Sequence, residues 1–86
     1  MANAELTRGK RWLEQELLPR LGKTGYAGAR FRWGPEYDDE QRLKVDGIRD
    51  PLTVAREHLE DAGNGDAGAQ ARLRALLRNW LRRMKR

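Results

Sequence analysis

The sequence predicts a small single-domain α+β fold with an N-terminal helix, a β-hairpin with room for a short third strand, and a C-terminal helical hairpin. Three observations lead to this prediction. Leucines recur at helical spacing near both ends of the chain, the apolar period changes to two in the middle, and a glycine-rich turn separates two C-terminal helical segments. The length of 86 residues, 38% of them hydrophobic, fits one domain over residues 1–86 with a modest core.

The first helix is predicted from Ala4 or Thr7 to Leu21. Its apolar stripe consists of Leu6, Leu13, Leu17 and Leu21. Pro19 removes one backbone donor and crowds the preceding turn, so we expect the helix to kink or finish near Leu17 or Leu18, with Gly22 closing the segment.

The period-2 region predicts two strands. In the first, Phe31 and Trp33 alternate with Arg30 and Arg32, which indicates a strand with an apolar face and a basic face. Phe31 and Trp33 could stack on unpaired bases, but so small a domain favours them as core residues.

The second strand follows an acidic loop. It points Leu43 and Val45 inward and carries Arg42, Lys44 and Asp46 on its outer side. Asp46-Gly47 is a tight-turn dipeptide, and Ile48-Arg49 can begin the short third strand.

Asp50-Pro51 predicts the start of the next helix, because Asp is a good N-cap and Pro suits the first helical position. This helix is expected to run to about Ala62, with Gly63 as a left-handed stop, and to bury Leu52, Ala55 and Leu59. The final helix is expected to follow Asp66 as its cap.

The final helix, from Ala67 to Arg86, is predicted to be amphipathic. Its apolar face consists of Leu73, Leu76, Leu77, Trp80, Leu81 and Met84. Its basic side carries Arg74, Arg78 and Arg82 at i, i+4 and i+8, flanked by Arg72, Arg83, Lys85 and Arg86. Like charges at this spacing destabilise an isolated helix, which an anionic partner would offset.

Charge is distributed unevenly along the chain. Residues 1–35 carry +4, residues 36–65 carry −5 and residues 66–86 carry +6. The acidic middle segment can therefore neutralise a basic segment within the fold, or pair with a second chain. A homodimer would be compatible with the wide apolar face of the last helix.

The composition argues against an enzyme. Cysteine and serine are absent and His58 is the single histidine, so thiol and serine nucleophiles and cysteine metal sites are excluded. Gly22-Lys23-Thr24 lacks the upstream glycine and preceding strand of a phosphate-binding loop. The triplet Asp38-Asp39-Glu40 favours a solvated loop over a metal site. We expect no cofactor and no metal.

No apolar run approaches the length of a membrane span, so we expect a cytoplasmic protein without membrane contact. The leading hypothesis is a small non-enzymatic regulatory protein that binds the phosphate backbone of nucleic acid. The residues proposed for this contact are Arg74, Arg78, Arg82 and Arg83 of the last helix, with Arg30 and Arg32 of the first strand.

The alternative is a protein-interaction module, such as a phage-type inhibitor or adaptor that binds a host protein surface. Its candidate contacts are Asp38, Asp39, Glu40, Trp12 and Trp80. Trp12 belongs to this set because it falls outside the leucine stripe of the first helix, where it either covers a side of the core or stands exposed.

Overall fold

The structure is a computed structural model that describes residues 4–34 and 39–84. Its elements are α1 (Ala4–Lys23), β1 (Phe31–Trp33), β2 (Glu40–Val45), β3 (Leu52–Ala55), α2 (Arg56–Gly63) and α3 (Ala67–Met84). The strands form one antiparallel sheet in the order β1-β2-β3, and the three helices share one core with its inner face. This arrangement confirms the predicted α+β class with a C-terminal helical hairpin.

Helix α1 continues through Pro19 to Lys23, so of the two expected outcomes, a kink or a finish near Leu17 or Leu18, the finish is wrong. Leu17 and Leu21 lie on either side of the proline and are both buried, which holds the last turn against the core. Pro19 and Gln15, whose carbonyl loses its helical donor, lie on the solvent side, where water can replace the bond.

The end of α1 is set downstream of the predicted glycine. Backbone bonds from Thr24 and Tyr26 both reach the Leu21 carbonyl, at 3.2 and 2.9 Å, and Gly25 has a φ of 90°. A left-handed residue just past the helix is a common terminator, so Gly25 rather than Gly22 has this role.

The hairpin has the predicted faces. Phe31 pairs with Val45 and Trp33 with Leu43; Leu43 and Val45 are buried in the core, and Phe31 and Trp33 are partly buried and pack against it. The expectation that Phe31 and Trp33 are core residues is therefore confirmed. Arg32, between them, is exposed on the outer face.

The third strand lies at Leu52–Ala55, not at Ile48-Arg49, and the predicted helix start at Asp50-Pro51 is wrong. Leu52 and Val54 are buried while Thr53 and Ala55 are exposed, which is the period of a strand. Pairing with β2 outweighs the N-terminal signal of Asp-Pro. Ala55, expected in the core, consequently faces outward.

Helix α2 is short and tightly packed against α1. A Cβ on Gly9 would overlap the Leu59 carbonyl, and a Cβ on Gly63 would lie 2.9 Å from the Cα of Gly9. Gly63 is thus part of the helix and allows close approach, whereas the positive φ of 90° belongs to Gly65. The prediction that Gly63 is the left-handed stop is corrected.

Helix α3 begins as predicted, because the Asp66 carboxylate accepts a hydrogen bond of 2.8 Å from the Ala69 amide. Its buried face contains Leu73, Leu77, Trp80 and Leu81, with Leu76 and Met84 partly buried. Helices α1 and α3 run parallel, since Glu16 contacts Arg74, and the later residues Arg20 and Lys23 of α1 share a cavity with Arg78 and Arg82 of α3.

The α1–α2 contact gives a stability test. Gly9→Ala should destabilise the fold by about 1 to 3 kcal/mol, because the new methyl group has no space beside Leu59. Gly22→Ala is the matched control in the same helix. It meets nothing within 4 Å and should stabilise by about 0.5 to 1 kcal/mol. Urea unfolding measures both; similar effects of the two variants would contradict the packing described here.

Candidate nucleic-acid interface

A groove between the C-terminal halves of α1 and α3 brings four positively charged side chains together. The parallel alignment places the end of α1 beside the last two turns of α3. The cavity here has a volume of about 320 Å³ and is lined by Arg20, Lys23, Thr24, Arg78, Leu81 and Arg82. We call it the α1–α3 groove.

The lining of the groove is cationic with an apolar floor. Four of its six residues carry a positive charge, none carries a negative one, and Leu81 is buried at its base. Cations are expected at helix C-termini, where they complement the helix dipole. One or two in each last turn satisfy that effect, whereas here two parallel helices bring both sets to the same place.

Arg74 is not one of the four cations that line the groove. Its Nε donates a hydrogen bond of 2.6 Å to Glu16 Oε1, and its guanidinium lies 5.3 Å from the centre of the Trp12 ring. This arginine is therefore engaged by the fold through an ion pair and a cation–π contact. The aromatic ring of Trp12 is half-buried beneath it.

Glu16 also contacts Arg20, at the end of the groove nearer the start of both helices, which we call its upper end. Arg20 Nη1 lies 3.7 Å from Glu16 Oε1 and donates a hydrogen bond of 2.7 Å to the Glu16 backbone carbonyl. One carboxylate thus faces two guanidinium groups. It can neutralise one of them, and the shorter contact is with Arg74.

At the opposite, lower end of the groove, no carboxylate neutralises the cations in the parts of the chain that the structure describes. The side chains of Lys23 and Arg78 make no hydrogen bond or ion pair there, and Arg82 donates to the neutral Asn79 side chain at 2.9 Å. Arg78 and Arg82 are both exposed and lie one helical turn apart, about 6 Å along the axis. Their charges are available to an external anion.

The other arginines of the predicted interface lie elsewhere. Arg83 is exposed but follows Arg82 by about 100° around the helix, which turns it away from the groove. Arg30 and Arg32 line a separate cavity of about 300 Å³ with Phe31 and Asp46 on the sheet. The structure therefore brings Arg78 and Arg82 together and places the remaining predicted residues apart from them.

The residues of the alternative protein-interaction site are also dispersed. Trp80 is 2% exposed and donates to the Asp50 carbonyl at 3.2 Å, so it presents no surface to a partner. Glu40 forms an ion pair of 3.0 Å with Arg42, and Asp39 is exposed. Asp38 lies outside the described residues.

His58 is half-buried at the edge of α2, in a cavity that it lines with Glu57, Asp61, Asp66, Gly68, Ala69 and Arg72. Within residues 4–34 and 39–84, no group of three or more His, Asp or Glu side chains could hold a metal ion. In the same part of the chain, no helix is both long and apolar enough to cross a membrane.

Sequence reasoning missed Arg20 and Lys23. The helix was expected to reach Leu21, with a kink or finish near Leu17 or Leu18, so Lys23 lay beyond it, and no sequence pattern brought either residue beside the last helix. Their available signal was the burial of Leu21, which extends the helix past the proline and carries both cations to its C-terminus.

Comparison with protein-family models, curated proteins and solved structures finds no match to this chain.

The different environments of two neighbouring arginines predict different stability effects. Arg74→Gln should destabilise by about 0.5 to 1 kcal/mol, because it removes the partly exposed ion pair with Glu16 and the contact with Trp12. Arg78→Gln removes no internal partner and should change stability by less. Urea unfolding of both variants measures this difference. An equal loss of stability in both would contradict the conclusion that Arg74 has an internal partner and Arg78 has none.

Proposed function

We propose that the protein is a small non-enzymatic regulatory protein that binds nucleic acid by contacting phosphates in the α1–α3 groove. The supporting observation is the convergence of Arg20, Lys23, Arg78 and Arg82 from two helices on one groove whose lining has no carboxylate. Holding four cations together is unfavourable, and a polyanion laid along the groove would relieve the repulsion.

Nucleic acid fits this groove better than an isolated anion does. Arg78 and Arg82 repeat along α3 while Arg20 and Lys23 repeat along α1, so the charges form two short rows that suit a ligand with repeating charge. Arginine binds phosphate through a planar fork of donors, and the Thr24 hydroxyl on the same wall can add a neutral contact. Contacts of this kind position a backbone and carry no base specificity.

The salt dependence of binding tests the proposal. Four phosphate contacts predict a slope of log K against log salt near −3.6 for duplex DNA, hence roughly a hundredfold loss of affinity between about 50 and 200 mM salt. Titration of labelled duplex DNA, single-stranded DNA and RNA measures it. Undetectable binding of all three at the lower salt would contradict the proposal.

Neutralising half of the groove should halve this slope. Arg78→Gln with Arg82→Gln leaves two contacts and predicts a slope near −1.8. The matched control is Arg11→Gln with Arg49→Gln, which removes the same charge from two exposed arginines outside the groove lining. The control should keep the wild-type slope. Equal slopes in the two double variants would show that the phosphate contacts lie outside the groove.

Removing the carboxylate at the upper end of the groove should strengthen binding. Glu16→Gln releases Arg74, which is not among the four counted contacts, and removes the carboxylate that competes for Arg20, so it predicts a salt slope steeper by up to about one contact. Glu14→Gln, which changes a carboxylate on the β1 side of α1, is the matched control. Weaker binding by the Glu16 variant would show that the ion pair with Arg74 orders the site and does not compete with the ligand.

The competing proposal is a module that binds a host protein. Its best support is a cavity lined by Asp39, Glu57 and Glu60 with Ala55 and Arg56, where Arg56 pairs with Glu60 at 3.9 Å and the other two carboxylates are exposed. A stoichiometric host protein that remains bound after nuclease treatment, together with absence of nucleic-acid binding, would favour it.

A further inference from the structure

The outer face of the sheet is a second basic surface, separate from the groove. Side chains alternate along each strand, and the inner set packs against the helices. The outer positions on the paired strands are occupied by Arg32, Glu40, Arg42, Lys44, Thr53 and Ala55. This face points away from the helices and therefore away from the α1–α3 groove.

Two like charges lie directly opposite each other on this face. Arg32 is the cross-strand partner of Lys44, and both side chains are exposed. Such neighbours have Cβ atoms about 5 Å apart, and like charges at this position are destabilising. In the described part of the chain, neither side chain makes a hydrogen bond or ion pair.

The residues on either side of this pair have opposite charges near them, so the Arg32–Lys44 pair differs from its neighbours. At one end of the ladder, the Asp46 amide donates to the Arg30 carbonyl at 2.9 Å, so an acidic and a basic residue are opposed. On the other side, Arg42 lies against Glu40 at 3.0 Å and opposite Thr53. Uncompensated charge is therefore concentrated at Arg32 and Lys44.

A glycine follows this pair on the same face of the sheet. Gly34 continues the outer row beyond Arg32, and its amide bonds to the Arg42 carbonyl at 2.7 Å. It carries no side chain, and the position where a Cβ would lie is 3.7 Å from the Cε of Lys44. The Lys44 side chain therefore packs near this glycine, on the same face as Arg32.

We propose that this face contacts the phosphate backbone of a second nucleic-acid segment, so that one protein molecule bridges two segments. The inference rests on the proposed function, since the groove must hold the first segment. A second copy of the same face is a poor occupant, because it would bring Arg32 and Lys44 against another pair of cations. A phosphate backbone supplies the complementary charge without requiring a deep pocket.

A capture assay tests the bridge. An unlabelled short DNA duplex is immobilised, the protein is added, and retention of a second, fluorescent duplex is measured. The wild type should retain the second duplex, and excess protein should abolish retention by occupying each duplex separately. Arg32→Glu with Lys44→Glu should abolish retention while affinity for a single duplex stays within about twofold, since the groove is unchanged.

The single variant Arg32→Glu separates loss of contact from loss of fold. It places Glu opposite Lys44 and converts a repulsive pair into an attractive one, which should raise the Tm by a few degrees. It should nevertheless weaken retention of the second duplex. Arg11→Glu with Arg49→Glu, which changes the same charge elsewhere, should retain the second duplex as the wild type does.

The outcomes distinguish the two proposals. Unchanged retention by the Arg32 and Lys44 double variant would overturn the bridge, as would a wild type that binds one duplex and never retains a second. Both results would leave binding in the groove intact. A wild type that binds no duplex at all would overturn the proposed function and the bridge together.

Discussion

The backbone contact between α1 and α2 is the constraint on which the rest of the structure depends. Gly9 and Gly63 allow these helices to approach until no side chain would fit between them. Arg8 adds a hydrogen bond of 3.0 Å to the Asn64 side chain at the same junction. Because α2 is joined to α3 by a short turn, fixing α1 against α2 also fixes the position of α1 beside α3.

That position determines the electrostatics. Helices α1 and α3 run in the same direction, so their C-terminal cations meet at one end of the domain. In a single helix such residues complement the dipole and need no further explanation. Their convergence in the α1–α3 groove exceeds that effect, and the carboxylate of Glu16 reaches only the upper end.

The arginine row of α3 therefore has two explanations that apply to different residues. Arg74 is turned onto the protein's own glutamate and covers an aromatic ring, so it stabilises the fold. Arg78 and Arg82 are exposed beside further cations from α1. The proposed phosphate ligand concerns the second pair and not the first.

Much of the fold could be predicted from periodicity. The leucine stripe of α1, the alternation around Phe31 and Trp33, and the Asp66 cap of α3 all appear as expected. The errors arose where a local signal competed with long-range packing. Asp50-Pro51 suggested a helix start, but pairing with β2 keeps Leu52–Ala55 extended.

The candidate site was less predictable for a related reason. Arg78 and Arg82 were identified from their spacing alone, whereas Arg20 and Lys23 depend on how two helices distant in sequence align. No pattern within either helix encodes that alignment. The alignment depends on the contact between Gly9 and Gly63. In the sequence these are two glycines without a distinguishing pattern, one inside a helix and one near the end of another.

An NMR titration with a short nucleic-acid duplex tests the central claim most directly, because it reports on each arginine side chain separately. The guanidinium signals of Arg78, Arg82 and Arg20 are predicted to shift on binding. The Arg74 side chain keeps its contact with Glu16, so its signal should shift little. Perturbation confined to Arg74 and Glu16, or to residues outside the groove, would contradict the claim.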